Sequence, residues 1–441
     1  MTRPFFPEVD PIRYAGSETA EPLAFRCYDR ERVVRGRRME DHLRFAVCFW
    51  HTFGWDGSDP FGRGTFERPW LSAEGAADPM SLAFRKVDAA FEFFEKLGVP
   101  YFCFHDRDVA PEGATLRESH ARLDRMLEHV EAHMARSGVR LLWGTANLFS
   151  HPRYAAGAAT NPDPEVFAFA AAQVKHCLEA THRLGGANYV LWGGREGYDT
   201  LLHTALRREL EQLGRFLALV AEHKHRIGFR GTLLVEPKPF EPTKHQYDRD
   251  CAAVHALLRR FDLLGEYRLN IEVNHATLAG HDFPHEVAYA LAHDLFGSVD
   301  ANRGDPRHGW DPDQFPDDPH EWAHALAEIL RGGGIGSGGF NFDARLRRQS
   351  VDAVDLFHAH VGGMDAIARG LLAAAAMLED GTRERFVAER YAGWEGALGR
   401  DILAGKRSLA DLSEHALASD REPRPRSGRQ EMLERWARRF V

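Results

Sequence analysis

Cysteine is scarce in this sequence: five in 441 residues, at Cys27, Cys48, Cys103, Cys177 and Cys251. They are far apart, odd in number and never form a C-x-x-C pair. That argues against a disulfide framework or a structural zinc site, and for a reducing, cytoplasmic setting. Positive charge is also short. The 56 Lys and Arg against 65 Asp and Glu leave a formal charge of −9, which argues against nucleic acid or an acidic membrane as partner. No apolar run approaches the roughly 20 residues that cross a bilayer. The longest, Leu371–Leu378, reads as a short Ala/Leu helix. The opening MTRPFFPEVD lacks a basic stretch followed by an apolar one, so no secretory signal is expected.

What remains is ordinary globular composition, 44% hydrophobic and 27% charged, in a chain long enough for one large barrel with extensions. A short β-rich apolar run, a polar or glycine-rich turn and an amphipathic helix recur along it. The runs are 44–50, 101–105, 140–145, 189–192, 232–236, 268–273, 297–300 and 339–342. Helices are expected over 82–97, 164–184 and 206–225, each closing near a glycine. Eight strands alternating with helices predict an α/β fold, a TIM (β/α)8 barrel; an open doubly wound sheet is the competitor. The expected division is an N-terminal extension of polar character (1–44), a catalytic barrel (45–380) and a C-terminal helical arm (381–441). With so little core of its own, such an arm usually packs on a neighbouring subunit; a disordered basic tail is the alternative.

In a closed barrel the residues at the C-terminal strand ends share one mouth. Here these are Trp50, His105 and Asp108, Thr145, Trp192, Glu236 and Lys238, Glu272 and His275, Asp300, and Asp343. One such acid is more often a helix cap or a turn residue than a ligand. Four successive strands ending on acids are not explained that way. As bare anions, Glu236, Glu272, Asp300 and Asp343 would repel one another, and a divalent cation relieves that cost. Oxygen-rich ligation favours Mg²⁺ or Mn²⁺. With His275 and the loop acids Asp311 and Asp313 there are too many ligands for one ion. Two ions sharing Glu272 account for the number. His105 with Asp108 reads as an acid/base unit, since a carboxylate fixes the tautomer of its histidine. Trp50, Trp143 and Trp192 suit either core packing or stacking on the C–H faces of a sugar.

Three further motifs carry less. DPDQFPDD from Asp311 is not an EF-hand, because Phe315 and Pro316 stand where oxygen and glycine are required. GGGIGSGG (332–339) lacks G-K-[ST] and reads as a helix-to-strand turn. His320-Glu321-Trp322-Ala323-His324 matches the zinc-protease pattern H-E-x-x-H, but it falls on a helix of the outer ring, away from the strand ends.

The ordered motifs FWHTFGWDGSDPFG, FCFHDRDVAPEG, YVLWGGREGYDTLL, LLVEPKPFEPTKHQYD, NIEVNHATLAGHDF, GSVDANRGD, GWDPDQFP and GGFNFDARLRRQS span nearly the whole chain. By these the sequence resembles the xylose isomerase family, in its longer class II form. The resemblance implies that Glu236, Glu272, Asp300 and Asp343 hold one metal, and Glu272, His275, Asp311 and Asp313 a second. The ions would be Mg²⁺, or Mn²⁺ or Co²⁺. It further implies that His105, oriented by Asp108, assists sugar-ring opening and that Lys238 binds the aldehyde oxygen. Trp50, Thr145, Phe149 and Trp192 would shape the pocket, with Phe61 supplied by an adjacent subunit of a homotetramer. The implied reaction interconverts D-xylose and D-xylulose, and D-glucose and D-fructose, by a 1,2-hydride shift. A barrel isomerase or epimerase using proton abstraction, and a metal-dependent sugar-binding protein without catalysis, are the alternatives.

Overall fold

Eight short strands, most of them followed by a long helix, build the centre of the molecule. The computed structural model describes residues 4–72, 78–419 and 422–441. The strands are β1 (Phe45–Cys48), β2 (Tyr101–His105), β3 (Arg140–Thr145), β4 (Asn188–Trp192), β5 (Thr232–Glu236), β6 (Tyr267–Glu272), β7 (Phe296–Asp300) and β8 (Phe340–Phe342). All pair in parallel in chain order and β8 returns to β1, so the sheet is a closed barrel and not an open one. The outer helices are α1 (Pro79–Leu97), α2 (Leu116–Ser137), α3 (Pro164–Arg183), α4 (Leu206–Ile227), α5 (Cys251–Arg260), α6 (Phe283–Ala292), α7 (Pro319–Arg331) and α8 (Asp355–Asp380).

Local chemistry sets these boundaries. α1 begins three residues before its periodic apolar stripe because Asp78 caps it, accepting from the Ser81 amide, and Pro79 opens it. It stops at Gly98, whose φ of 77° suits glycine best. β1 is shorter than the apolar run predicts. The chain leaves the sheet after Cys48 into a π-helical turn, Trp50–Gly54, a geometry that recurs at functional sites. β2 shows the alternation that the barrel requires. Phe102 and Phe104 face outward, Phe102 meeting Phe91 and Phe94 of α1, while Tyr101 and Cys103 belong to a separate cluster with Trp143 and Leu234. The glycine-rich 332–339 segment is indeed the turn from α7 to β8. A Cβ on Gly338 would lie 2.0 Å from the Gly297 carbonyl oxygen, so only glycine fits there.

Two segments differ from their sequence reading. The N-terminal stretch is not simply polar: Phe6, Val9, Ile12, Phe25 and Tyr28 are buried in the main core. Phe6 packs edge-on to Phe357 with ring centroids 5.1 Å apart, and Asp365 accepts from the amides of Arg26, Cys27 and Tyr28. The Ala/Leu stretch 371–378 is the end of a much longer helix, the 26-residue α8. By length and composition α8 could cross a membrane, yet 61% of its apolar window is buried inside the protein.

Beyond Asp380 the described residues form four α-helices, a short 3-10 turn (Ala392–Glu395) and no strand: α9 (Thr382–Tyr391), α10 (Ala397–Leu403), α11 (Leu409–Leu417) and α12 (Gln430–Ala437). α9 and α11 bury no residue, and α10 buries Gly399 alone. α12 returns to the barrel. Trp436 packs with Ala323, Ala373 and Met377, and its indole donates to Asp380 at 2.8 Å. All five cysteines are free thiols.

One core residue gives the fold a pH dependence. His360 on α8 is enclosed by Phe93, Phe315 and Phe342, and burial lowers its pKa from 6.5 to about 4. The unfolded chain therefore takes up this proton first as pH falls, so its contribution is complete above about pH 6.5 and is lost toward pH 4. Between pH 7 and pH 5 the loss is about 2 kcal/mol at ~1.4 kcal/mol per unit. His360→Phe is expected to reduce the pH 7-to-5 stability difference in urea unfolding by about that amount. An unchanged difference would remove His360 as its source.

Candidate metal centre and pocket

The mouth of the barrel gathers nearly every residue singled out at the strand ends. Glu236 and Glu272 end β5 and β6, Asp300 ends β7, and Asp343 follows β8. These four can each bring one carboxylate oxygen within 4.8 Å of the others. Two more such groups adjoin: Glu236, Glu272 and His275, and Glu272, Asp311 and Asp313. Glu272 belongs to all three. It immediately precedes the short helix Val273–Leu278, which carries His275 one turn on, so that His275 Nε2 lies 3.1 Å from Glu272 and 3.3 Å from Asp311. Asp313 reaches inward from a left-handed backbone, φ 43°.

The electrostatics record the crowding. Burial, then the charges of neighbouring acids, push Glu236 and Glu272 well above the usual carboxylate range. Burial and Asp343 raise Asp300 to about 8; burial and Asp311 raise Asp313 to about 7. Asp311 goes the other way. Burial opposes its charge, but Lys238 and His275 outweigh burial and hold it well below the normal range. Lys238 Nζ is 2.6 Å from Asp311 and 3.3 Å from Glu241, so its charge is committed within the site. These residues fit divalent cations. The donors are hard carboxylate oxygens with one imidazole, burial and mutual repulsion disfavour the charged forms of Glu236, Glu272, Asp300 and Asp313, and buried His275 Nδ1 has no hydrogen-bond partner.

Beside the acids, His105 Nδ1 lies 2.9 Å from Asp108 Oδ2, and the same oxygen accepts from the His105 amide at 2.8 Å. Burial opposes a charged imidazole, but Asp108 holds the His105 pKa above its ordinary value. With Nδ1 engaged, proton exchange with a ligand falls to Nε2. Trp50 packs edge-on to His105 at 4.6 Å, and Phe149 meets Trp192 edge-on at 4.5 Å. These rings, with Trp143 and Thr145, line a cavity of about 1100 Å³ that Glu236, Glu272, His275, Asp311, Asp313 and Asp343 also line. The Thr145 hydroxyl donates to the Val190 carbonyl at 2.6 Å, which leaves it only accepting capacity toward the cavity. Phe61 is 85% exposed at the rim, 6.4 Å from Trp310. His320 and His324 lie on α7, their rings 4.8 Å apart, and belong to none of the candidate metal groups among the described residues.

Several site residues escaped the motif reading. His51 Nε2 lies 3.1 Å from both Asp313 and Asp343. Burial opposes its charge, yet these two carboxylates raise its pKa to about 9. Its position follows from the π-helical turn after β1, which no spacing rule foretells. Four amides hold the acids in place. Asn270 donates to Glu236 at 2.9 Å and Asp300 at 2.8 Å; Asn341 donates to Asp300 at 2.8 Å; Asn302 donates to Glu272 at 2.7 Å; Asn274 donates to Asp311. Three of them had a usable signal: Asn270, Asn302 and Asn341 lie two residues from Glu272, Asp300 and Asp343, at or just beyond the same strand ends.

Comparison with known proteins follows the same outline. A family model described as the XylA2 C-terminal domain matches residues 387–441. The chain is 60% identical over 430 residues to a xylose isomerase of Cronobacter sakazakii, covering 98% of this chain and 97% of that one. It is 58% identical over 438 residues to a xylose isomerase of Pseudomonas syringae pv. syringae, covering 99% of each. Among solved structures, an L-ribulose 3-epimerase superimposes with a TM-score of 0.50 at 15% identity, covering 77% of this chain and 98% of that one. That likeness is one of fold.

Proposed function

Because the chain belongs to the xylose isomerase family, a family of aldose–ketose isomerases, we propose that it interconverts D-xylose and D-xylulose in the cytoplasm, and also D-glucose and D-fructose. The observation that carries this reading is the meeting of three ligand groups on Glu272 beside the His105–Asp108 pair. Glu236, Glu272, Asp300 and Asp343 would hold one divalent cation, and Glu272, His275, Asp311 and Asp313 a second, as Mg²⁺, Mn²⁺ or Co²⁺. When bound, the cations supply Lewis-acid polarisation of the sugar oxygens at C1 and C2.

The chain's own residues do the rest. His105, its tautomer fixed by Asp108, moves the proton that ring opening transfers from the C1 hydroxyl to the ring oxygen. Lys238, held against Asp311, presents an ammonium to the aldehyde oxygen of the open sugar. Trp50, Phe149 and Trp192 stack on the sugar's C–H faces and exclude water. Few carboxylates would be left to act as a base at C2, because the nearby acids would be committed to the cations. Hydrogen therefore passes directly from C2 to C1 as hydride.

The test is turnover of xylose in tritiated water, with and without chelator. Xylulose is expected to form only without chelator and to carry negligible label at C1. Label at C1 in step with turnover would overturn the hydride route in favour of an enediol, and activity in chelator would overturn the metal assignment.

We also propose a homotetramer, in which the arm covers a neighbouring subunit. α9 to α11 and the turn between them expose Tyr391, Trp394, Leu403, Leu409 and Leu417, a density of large apolar side chains suited to a protein contact. Deletion after Asp380 is expected to yield smaller species in sedimentation velocity. A full-length chain that sediments as an active monomer would sink this idea.

A further inference from the structure

Away from the barrel mouth, α1 and α2 bring Asp88, His129 and His133 together on the outer surface. His129 and His133 are four residues apart, so they project from one face of α2 toward α1. Their Nε2 atoms lie 2.7 and 2.8 Å from the same oxygen, Asp88 Oδ1. The three donor atoms fall within 4.8 Å of one another. Neither ring is loose. His129 sits edge-on to Phe84 and His133 stacks on Phe91, each at 4.9 Å between centroids. The side chains of Asp88, His129 and His133 are 39%, 30% and 16% exposed, so an ion can reach them from solvent and keep water on its open side.

We propose that Asp88, His129 and His133 form a second kind of metal site, taking a borderline divalent cation such as Zn²⁺ and tying α1 to α2. Two imidazoles and one carboxylate suit Zn²⁺ better than Mg²⁺, which prefers oxygen alone. This separates the site chemically from the acid-rich centre at the barrel mouth. Ligand bonds of about 2.0–2.2 Å around a tetrahedral ion set donor atoms ~3.3 Å apart. The present spacing therefore has to open by about half an ångström, which partly exposed side chains allow. One neighbour must also move. Arg136 donates to His133 Nδ1 at 3.1 Å and pairs with Glu95 at 2.8 Å. Ligation through Nε2 places the ring proton on Nδ1, so Arg136 turns to Glu95 alone, and its 57% exposure leaves room for that. The cluster lies outside the proposed isomerase machinery, and the site stands or falls independently of it.

The test is calorimetric titration of Zn²⁺ into the full-length protein in excess Mg²⁺, for wild type and His129→Gln/His133→Gln. The wild type is expected to bind one more Zn²⁺ per chain than the double variant, and Asp88→Asn to weaken that event at least tenfold. Equal stoichiometry in wild type and double variant overturns the proposal. If circular dichroism shows the double variant to be misfolded, anomalous scattering at the zinc edge from wild-type crystals grown with Zn²⁺ decides. A peak between the three side chains supports the site, and none overturns it.

Discussion

Glu272→Gln is expected to lower xylose turnover by about a thousandfold or more and to remove metal from both proposed cation sites, which share Glu272. Among the described residues, no other side chain belongs to all three ligand groups at the barrel mouth. Its Oε1 accepts from Asn302 at 2.7 Å and its Oε2 lies 3.1 Å from His275, so both oxygens are placed by neighbours. Glutamine keeps the size and removes the charge, and one of its two ends becomes an N–H₂ that cannot ligate. Without metal, the variant is expected to be at least as stable as wild type. It loses a buried acid that burial and the charges of Asp311, Asp343 and Asp313 already disfavour in ionised form. Stability and activity should thus move in opposite directions, which a merely disruptive substitution would not produce. Mn²⁺ titration followed by EPR, with turnover and thermal melting in chelator, reads all three. A variant that still binds two ions per chain and keeps a tenth of its activity would remove Glu272 from this role.

His105→Asn is expected to cut turnover of cyclic xylose by ~10²–10⁴, the usual range for a lost acid/base group, while metal binding stays as in wild type. The contrast with Glu272→Gln rests on geometry. His105 belongs to none of the carboxylate groups and reaches Asp108 instead, at 2.9 Å. Asparagine can still donate to Asp108, so the local helix Asp106–Val109 and its cap are kept. Ring opening should then become the slow step. With substrate carrying deuterium at C2, the isotope effect on turnover is expected to fall toward one. An unchanged isotope effect alongside a large loss of turnover would place His105 at hydrogen transfer and not at ring opening.

Much of the architecture was legible because short apolar runs and helically spaced apolar stripes alternate along the chain. Short apolar, β-rich runs mark Tyr101–His105 and Thr232–Glu236 as strands buried on both faces, and helical spacing of Phe84, Val87, Phe91 and Phe94 marks α1. Acids at strand ends were legible for the same reason, since closure of a parallel barrel sends every strand end to one mouth. The N-terminal stretch was misread because its buried residues, Phe6, Val9, Ile12, Phe25 and Tyr28, follow no period. They fill separate gaps on the barrel wall, and only the wall shows where those gaps are.

The sequence by itself determined the fold class, the order of the strands and the residues carried to the barrel mouth, because local periodicity and barrel closure leave little else to decide. It could not determine which groups meet once there. The three groups that share Glu272, the reach of His51 to Asp313 and Asp343, and the pairing of Lys238 with Asp311 depend on loops and on a π-helical turn of irregular geometry. The meeting of Asp88 with His129 and His133 depends on how α1 lies against α2. These are contacts between segments distant along the chain, set by packing, and packing exists only after the chain has folded.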